Sequence, residues 1–287
     1  MEDLALVLAG GGVAGIAWEL GFLLGVQDES EHVARALLDS THLVGTSAGA
    51  TVAAQISSGV GLSDLFHTQL AAETTEIDPG VDLEQLMADF AAGLGDEDAP
   101  PRERLRRIGA AALRATTVSE ETRRAVIESR LPSHEWPERA LSITAIDAST
   151  GELVVFQQGH GVPLVDAVAA SCAVPGIWPT VTIDGRKFMD GGVESTANAF
   201  LAGECGRVVV LAPATEPGPN QLGGSLLTEI TSMTGSDVLP VFADAAAVGA
   251  FGTNPLAPST RAPAALAGRD QGRRAAAQLG EFLGVVP

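Results

Sequence analysis

Residues 42–57 read HLVGTSAGATVAAQIS, in which a short apolar run, a serine between two glycines and an alanine-rich segment follow one another. An apolar run ended by glycine is typical of a strand buried on both faces, so we predict a strand over His42–Gly45 and a helix directly after Ser47. Gly45, Ser47 and Gly49 have the G-x-S-x-G spacing of a hydrolase nucleophile elbow, which places its serine on a sharp strand-to-helix turn. The alternative is an ordinary turn with Ser47 or the threonine before it as the helix N-cap.

The acid and base that could activate such a serine are restricted by where the histidines lie. Asp190-Gly191-Gly192 supplies a carboxylate far downstream, and no histidine follows it. The five histidines are His32, His42, His67, His134 and His160. A triad in the chain order serine, acid, histidine therefore cannot be built with Asp190 as its acid. If Ser47 is a nucleophile, Asp190 is the leading candidate for its partner.

A second glycine-rich turn precedes the serine motif. Leu4 to Ala9 is a continuous apolar run that predicts a buried strand, and Gly10-Gly11-Gly12-Val13-Ala14-Gly15 follows it before a predicted helix. This loop matches G-x-G-x-x-G, the dinucleotide-binding fingerprint, but that reading needs an acidic residue closing the second strand, where a serine elbow stands instead. Backbone N–H groups of Gly10, Gly11 and Gly12 pointing at a developing oxyanion are the favoured interpretation.

The amino-acid composition limits the classes of protein to which the chain could belong. The chain has 287 residues, 46% of them hydrophobic, which allows a sizeable core in one large α/β domain. A formal net charge of −19 argues against nucleic-acid binding and against attraction to anionic bilayers. The two cysteines, Cys172 and Cys205, are too few for a disulfide framework or a zinc site, so we expect small buried residues and a reducing cytoplasm. The apolar stretch from Leu4 to Val26 is interrupted by Gly10–Gly12 and Glu19, so neither a transmembrane segment nor a signal peptide is predicted.

The remaining chain predicts a single domain over residues 1–287, with core motifs over 4–212. An α-rich block over about 62–132, with a helix over 82–92 inside it, is expected as an insertion between core strands. Hairpins are predicted over 141–157 and 181–190, a buried strand over 208–211, and a mostly helical extension over about 224–287. The arginine-rich run over 102–107 is more simply a solvated helix face than a phosphate site.

Four blocks in order carry a resemblance to a known family. They are Gly10 to Gly15, Gly45 to Gly49, Ala170-Ser171-Cys172-Ala173-Val174-Pro175, and Asp190-Gly191-Gly192. Together they span residues 10 to 192, and their joint order is far more specific than any one block. The chain resembles the patatin-like phospholipases, serine acyl hydrolases with a Ser–Asp dyad.

The resemblance implies a three-layer α/β/α fold with a mostly parallel central sheet. It also implies Ser47 as nucleophile, Asp190 as general base, and an oxyanion hole from the N–H groups of Gly10 to Gly12. Supporting motif positions are Gly15, Gly45, Gly49, Gly191 and Gly192. The chain departs from the family at Ala14, where an arginine or lysine is common, and Arg186 or Lys187 is a candidate substitute for that cation.

The function expected from these residues is hydrolysis of a carboxylic ester, most plausibly a lipid acyl ester, with release of a fatty acid and without metal or organic cofactor. Contact with a membrane would be transient. Two other classes stay open: a catalytically weak or silent binding or regulatory protein on the same fold, and a nucleotide-dependent oxidoreductase.

Four further residues have competing interpretations. Cys172 is interpreted as a small buried residue rather than a nucleophile. Trp18 and Phe22 are expected in the core because they lie four apart on a predicted helix. Trp178 is a candidate for lining a pocket, whereas His160 is expected to have no role at the site.

Overall fold

The structure is a computed structural model, and it describes residues 3–80, 99–215 and 225–285. A single sheet of eight strands runs through these residues in the order β5-β6-β3-β2-β1-β7-β8, with β4 paired to β3. The strands are β1 Leu4–Leu8, β2 His42–Gly45, β3 Ala140–Asp147, β4 Leu153–Phe156, β5 Val181–Ile183, β6 Arg186–Asp190, β7 Arg207–Ala212 and β8 Asp237–Phe242. The pairs β3–β2, β2–β1, β1–β7 and β7–β8 are parallel, and the pairings involving β4, β5 and β6 are antiparallel.

Ten α-helices are found in the described part of the chain. They are α1 Gly12–Glu29, α2 Glu31–Leu38, α3 Ala48–Ile56, α4 Leu62–Leu70, α5 Pro101–Ala112, α6 Glu120–Arg130, α7 Leu164–Ser171, α8 Leu226–Ser232, α9 Ala245–Phe251 and α10 Arg261–Leu283. Short 3₁₀ turns lie at Gly191–Val193, Ala199–Ala202 and Pro258–Thr260. No helix among the described residues is long and apolar enough to cross a membrane.

Alternation along β1 separates the two faces of the sheet. Leu6 and Leu8 point into the larger core, which includes residues of α1, α3 and α10. Ala5 and Val7 belong to a second core with the Ala199–Ala202 turn and residues of β7. Because successive side chains of a strand point to opposite faces, the apolar run of β1 is buried on both sides. The result is the predicted three-layer α/β/α fold, with the carboxyl ends of β1 and β2 leading into the glycine loop and the serine turn.

Helices α1 and α10 approach each other closely along a stripe of glycines. A Cβ atom on Gly21 or Gly25 would strike the backbone of α10 at Ala265 or Arg269. A Cβ atom on Gly268 or Gly272 would in turn strike the backbone of α1. Without side chains at these positions the two backbones come into direct contact. Helix α1, which follows the glycine loop, is thereby packed tightly against helix α10.

Most predicted elements are found within a few residues of their expected bounds, and Trp18 and Phe22 are both fully buried as predicted. The expectation of a mostly helical segment over 224–287 is wrong for Asp237–Phe242, which forms β8 parallel to β7. Pro240 made a strand hard to predict here, because proline is rare in strands except at the edge of a sheet. β8 is such an edge strand. The helix predicted over 82–92 lies outside the described residues.

Candidate active site

Ser47 stands on the turn between β2 and α3, in a backbone conformation that few residues other than glycine adopt. Its φ and ψ are 54° and −112°, and it is 8% exposed. The following turn passes so close to β1 that a Cβ atom on Gly49 would strike the Leu8 carbonyl group. Strained backbone of this kind costs roughly 1–3 kcal/mol and persists only where the surroundings enforce it. The observed conformation is therefore the sharp strand-to-helix turn that the G-x-S-x-G spacing predicts.

Two side chains at the end of α7 hold the Ser47 backbone. The Ser47 N–H donates to the Ser171 hydroxyl oxygen at 2.8 Å, and the Cys172 thiol donates to the Ser47 carbonyl at 3.2 Å. Burial raises the pKa of Cys172, so its thiol stays protonated. Cys172 is thus a buried structural residue, as expected. The role of Ser171 could not be read from the sequence, although the block that contains it was recognised.

Asp190 ends β6 and is buried beside Ser47. Burial raises its pKa to about 7, while the Ser47 side chain, the Gly192 N–H and the charge of Arg123 act in the opposite direction. The Gly192 N–H donates to one carboxylate oxygen at 2.7 Å. The carboxyl group is 4% exposed. Its ionised carboxylate is therefore a stronger base than that of an ordinary aspartate.

The glycine loop lies against the same serine, but its three N–H groups are not equivalent. Gly10 donates its N–H to the Thr196 carbonyl at 2.7 Å, so that group is already engaged. The N–H groups of Gly11 and Gly12 have no acceptor among the described residues. Gly12 has a φ of +65°, which favours glycine, and it lines a cavity together with Ser47. Of the three N–H groups expected to form an oxyanion hole, only those of Gly11 and Gly12 are therefore available as donors.

A small cavity, about 10 Å³ in volume, lies beside Ser47. Its apolar lining comes from segments that are far apart in the sequence: Val13, Ile16, Val174, Trp178 and Leu256. Trp178 is thus a pocket residue, as predicted. Two guanidinium groups of α6, those of Arg123 and Arg130, complete the lining. Sequence reasoning missed both, since α6 lies more than seventy positions from Ser47 along the chain.

The two arginines differ in their partners. Arg130 is buried and donates from Nε and Nη2 to the two carboxylate oxygens of Glu76, both at 2.7 Å. Arg123 is 5% exposed, and its guanidinium carbon lies 3.8 Å from the centroid of the Trp178 ring. Its Nε and Nη1 atoms have no hydrogen-bond partner in the described part of the chain.

The cations proposed from the sequence as substitutes at Ala14 lie elsewhere. Arg186 pairs with Asp147 at 2.8 Å, and Lys187 pairs with Glu120 at 3.0 Å. Neither lines the cavity. The arginine-rich run over 102–107 forms surface ion pairs, including those of Arg106 and Arg107 with Glu103, as expected for a solvated helix face. Among the described residues, no group of three or more histidine, cysteine, aspartate or glutamate side chains could hold a metal ion.

The chain matches the model of a protein family described as patatin-like phospholipase over residues 6–202. The chain belongs to this family. Membership makes the chain a relative of phospholipases and other lipid acyl hydrolases, and the matched range contains Ser47, Asp190 and the glycine loop. Thus the resemblance seen in the four sequence blocks is confirmed.

Solved structures that resemble this patatin-like chain include two bacterial proteins, VipD and ExoU. VipD from Legionella pneumophila has 16% identity and a TM-score of 0.44, with 98% of this chain and 67% of VipD covered. The type III effector ExoU has 14% identity and a TM-score of 0.42, with 97% of this chain and 53% of ExoU covered. ExoU also resembles the chain in its complex with SpcU from Pseudomonas aeruginosa, at 18% identity. The patatin-like chain spans about half the length of ExoU.

Replacing Ser171 with alanine is expected to impair both stability and turnover. The Ser47 N–H would lose its acceptor in a buried position, which costs about 1–3 kcal/mol in free energy of unfolding. Because Ser47 would then be held less rigidly, we expect kcat for a p-nitrophenyl ester, if Ser47 is the nucleophile, to fall about tenfold with little change in KM. Urea unfolding and steady-state kinetics measure the two effects.

Ser142→Ala is the matched control for that variant. Ser142 is equally buried and hydrogen-bonds His42 and Gln157, away from Ser47. It is expected to lose similar stability while kcat stays unchanged. An equal fall of kcat in the two variants would show that Ser171 acts on turnover only through global stability.

Proposed function

We propose that the chain is a serine hydrolase that cleaves carboxylic esters of lipids through a Ser47–Asp190 dyad. The observation that carries the proposal is the pairing of a strained, positive-φ serine with a buried aspartate whose pKa is about 7. A general base is most effective when its pKa lies near the working pH, and an aspartate at its ordinary value would be too weak. Because the Ser47 side chain hydrogen-bonds the Asp190 carboxyl group, Asp190 would act on Ser47 directly.

In the first half-reaction the Asp190 carboxylate takes the proton of Ser47 as the serine oxygen attacks the ester carbonyl carbon. The negative charge on the carbonyl oxygen would be stabilised by the N–H groups of Gly11 and Gly12 and by the N-terminus of α3. Collapse of this intermediate breaks the ester bond, and Asp190 returns the proton to the leaving alcohol. An acyl group then remains on Ser47.

In the second half-reaction Asp190 takes a proton from water, whose oxygen attacks the acyl-enzyme. The fatty acid is released and Ser47 recovers its proton from Asp190. The apolar lining of the cavity, with Val13, Ile16 and Leu256, supports an acyl chain as the group bound next to Ser47. This mechanism requires no metal and no organic cofactor.

Labelling by a fluorophosphonate tests the proposal, because only an activated serine reacts with this probe. We expect the wild-type protein to gain the mass of one probe at Ser47, found by intact-mass and peptide mass spectrometry. Ser47→Ala is expected to gain none, and the unrelated surface variant Ser63→Ala should label like wild type. A folded wild-type protein that stays unlabelled over hours would instead identify a catalytically silent binding protein.

A further inference from the structure

Arg123 places a positive charge inside the cavity without an anion bound to it. It belongs to α6, whose N-cap Ser119 accepts from the Thr122 N–H, and its guanidinium stacks on Trp178. Arg123 is only 5% exposed, so water screens its positive charge very little. Two of its nitrogen atoms, Nε and Nη1, are buried without a partner among the described residues. Buried cations in proteins are normally paired, so the site is incomplete without an anion.

The electrostatic surroundings of Arg123 support this conclusion. Burial and the neighbouring positive charge of Arg130 lower the pKa of Arg123 to about 9. The charges of Glu76 and Asp190 act in the other direction, and that of Asp190 is the weaker of the two. Glu76 is committed to Arg130 through two hydrogen bonds. At neutral pH, Arg123 therefore stays protonated with its charge only partly compensated.

The other arginine on the same turn shows the contrast. Arg124 is 40% exposed and pairs with both Asp166 and Glu128. Its neighbour Arg123 thus faces the cavity while Arg124 faces the surface. Arg124 on the surface of the helix is paired with carboxylates, whereas the buried Arg123 has no carboxylate hydrogen-bonded to it among the described residues. This contrast indicates that a ligand supplies the anion for Arg123.

We propose that Arg123 binds a phosphate or carboxylate group carried by the alcohol part of the ester substrate. This inference rests on the proposed function, because it assigns a substrate class to the same cavity. Arg123 and Ser47 line the same cavity, so the anion would lie close to the ester bond. A guanidinium group offers paired N–H donors that match the geometry of phosphate and carboxylate oxygens. Arg123 would thereby select a class of substrate that the acidic surface of the protein does not attract.

Two short esters that differ only in charge test the proposal. We choose 1-octanoylglycerol 3-phosphate and 1-octanoylglycerol, below their micelle concentrations, and measure the ratio of their kcat/KM values. The wild-type protein is expected to prefer the phosphate ester by at least tenfold. Arg123→Gln is expected to lower this ratio at least tenfold, and Arg123→Lys, which keeps the charge, should restore part of it. The same fall in kcat/KM for both esters, with the ratio preserved, would overturn the proposal.

Arg124→Gln is the matched control, since it removes a neighbouring charge from the surface of the same helix. Its ratio is expected to equal that of the wild-type protein. A similar fall in the ratio for Arg124→Gln would show that the general charge of α6, rather than the cavity, selects the substrate. Thermal unfolding of each variant verifies that it is folded at the assay temperature.

Binding without turnover separates this inference from the proposed function. We expect calorimetry on Ser47→Ala to show the phosphate ester binding at least tenfold more tightly than on the Ser47→Ala, Arg123→Gln double variant. If the wild-type protein does not hydrolyse the ester but this difference in binding is found, the proposed enzymatic function is refuted and the anion site is supported. Inorganic phosphate forms the second arm: binding as tight as that of the phosphate ester would show a site for free phosphate and overturn the assignment to the substrate.

Discussion

Ser47→Ala is expected to reduce the hydrolysis of a short-chain p-nitrophenyl ester by at least about 10⁴-fold, because removing a nucleophile abolishes the acyl-enzyme route. The loss should appear in kcat, since the cavity lining that binds the ester is unchanged. The fold should persist: alanine keeps the backbone N–H that donates to Ser171, and the side chain removed is small. Steady-state kinetics with circular dichroism as a check on folding measure this result.

A serine at the opposite end of α3 provides the control. Ser57 donates to the Ala53 carbonyl and lies outside the cavity lining, so Ser57→Ala should retain wild-type turnover. Activity of Ser47→Ala within tenfold of the wild-type value, in protein free of contaminating esterase, would exclude Ser47 as the nucleophile.

Asp190→Asn is expected to lower kcat/KM by about 10²–10⁴-fold, because an amide cannot take the Ser47 proton. In the wild-type protein kcat/KM should rise with pH through about 7, since only the ionised carboxylate acts as a base. The residual activity of the variant should lack this rise. A wild-type profile that stays flat between pH 5.5 and 8.5 would contradict the assignment of Asp190 as the base.

The same substitution is expected to stabilise the fold. The pKa of Asp190 is raised on folding, so between about pH 4 and 7 the native state holds a proton that the unfolded state has lost. Stability therefore falls as pH rises through this window, and ionised Asp190 costs on the order of 4 kcal/mol above it. Asp190→Asn removes that cost, and its advantage in free energy of unfolding should grow by roughly 2 kcal/mol from pH 5.5 to pH 8. Urea titrations at the two pH values measure the difference.

Asp147 provides the opposite case within the same sheet. Although burial opposes it, the N–H groups of Thr150 and Ser149 and the guanidinium of Arg186 hold the pKa of Asp147 below its ordinary value. Its ionised form stabilises the fold above the unfolded pKa, and that stability is lost as pH falls through the folded pKa. Asp147→Asn should therefore destabilise the protein at pH 8 while leaving ester hydrolysis intact. Destabilisation by Asp190→Asn as well would contradict the view that catalysis at Asp190 costs stability.

Local patterns predicted the elements that hold the site. The apolar runs before Gly10 and Gly45 are buried strands, because a strand of a covered parallel sheet has no solvent face that polar side chains could occupy. Ser47 and Asp190 could be assigned because each follows directly from such an element: a strand-to-helix turn in one case, the end of a hairpin strand in the other. The absence of a histidine after Asp190 limited the choice of base further, and this absence can be read directly from the sequence.

The sequence by itself determined the order of strands and turns along the chain and the glycines that permit close backbone approach, and it indicated Ser47 and Asp190 as the candidate dyad. Only the tertiary structure showed that the Gly10 N–H donates to the Thr196 carbonyl and that the Ser171 hydroxyl accepts from the Ser47 N–H. It also showed that Arg123, and neither Arg186 nor Lys187, lines the cavity. Short-range sterics and hydrophobic patterning act over a few residues, so they can be read along the chain. Hydrogen-bond partners and burial join residues that are far apart in sequence, and folding alone brings those residues together.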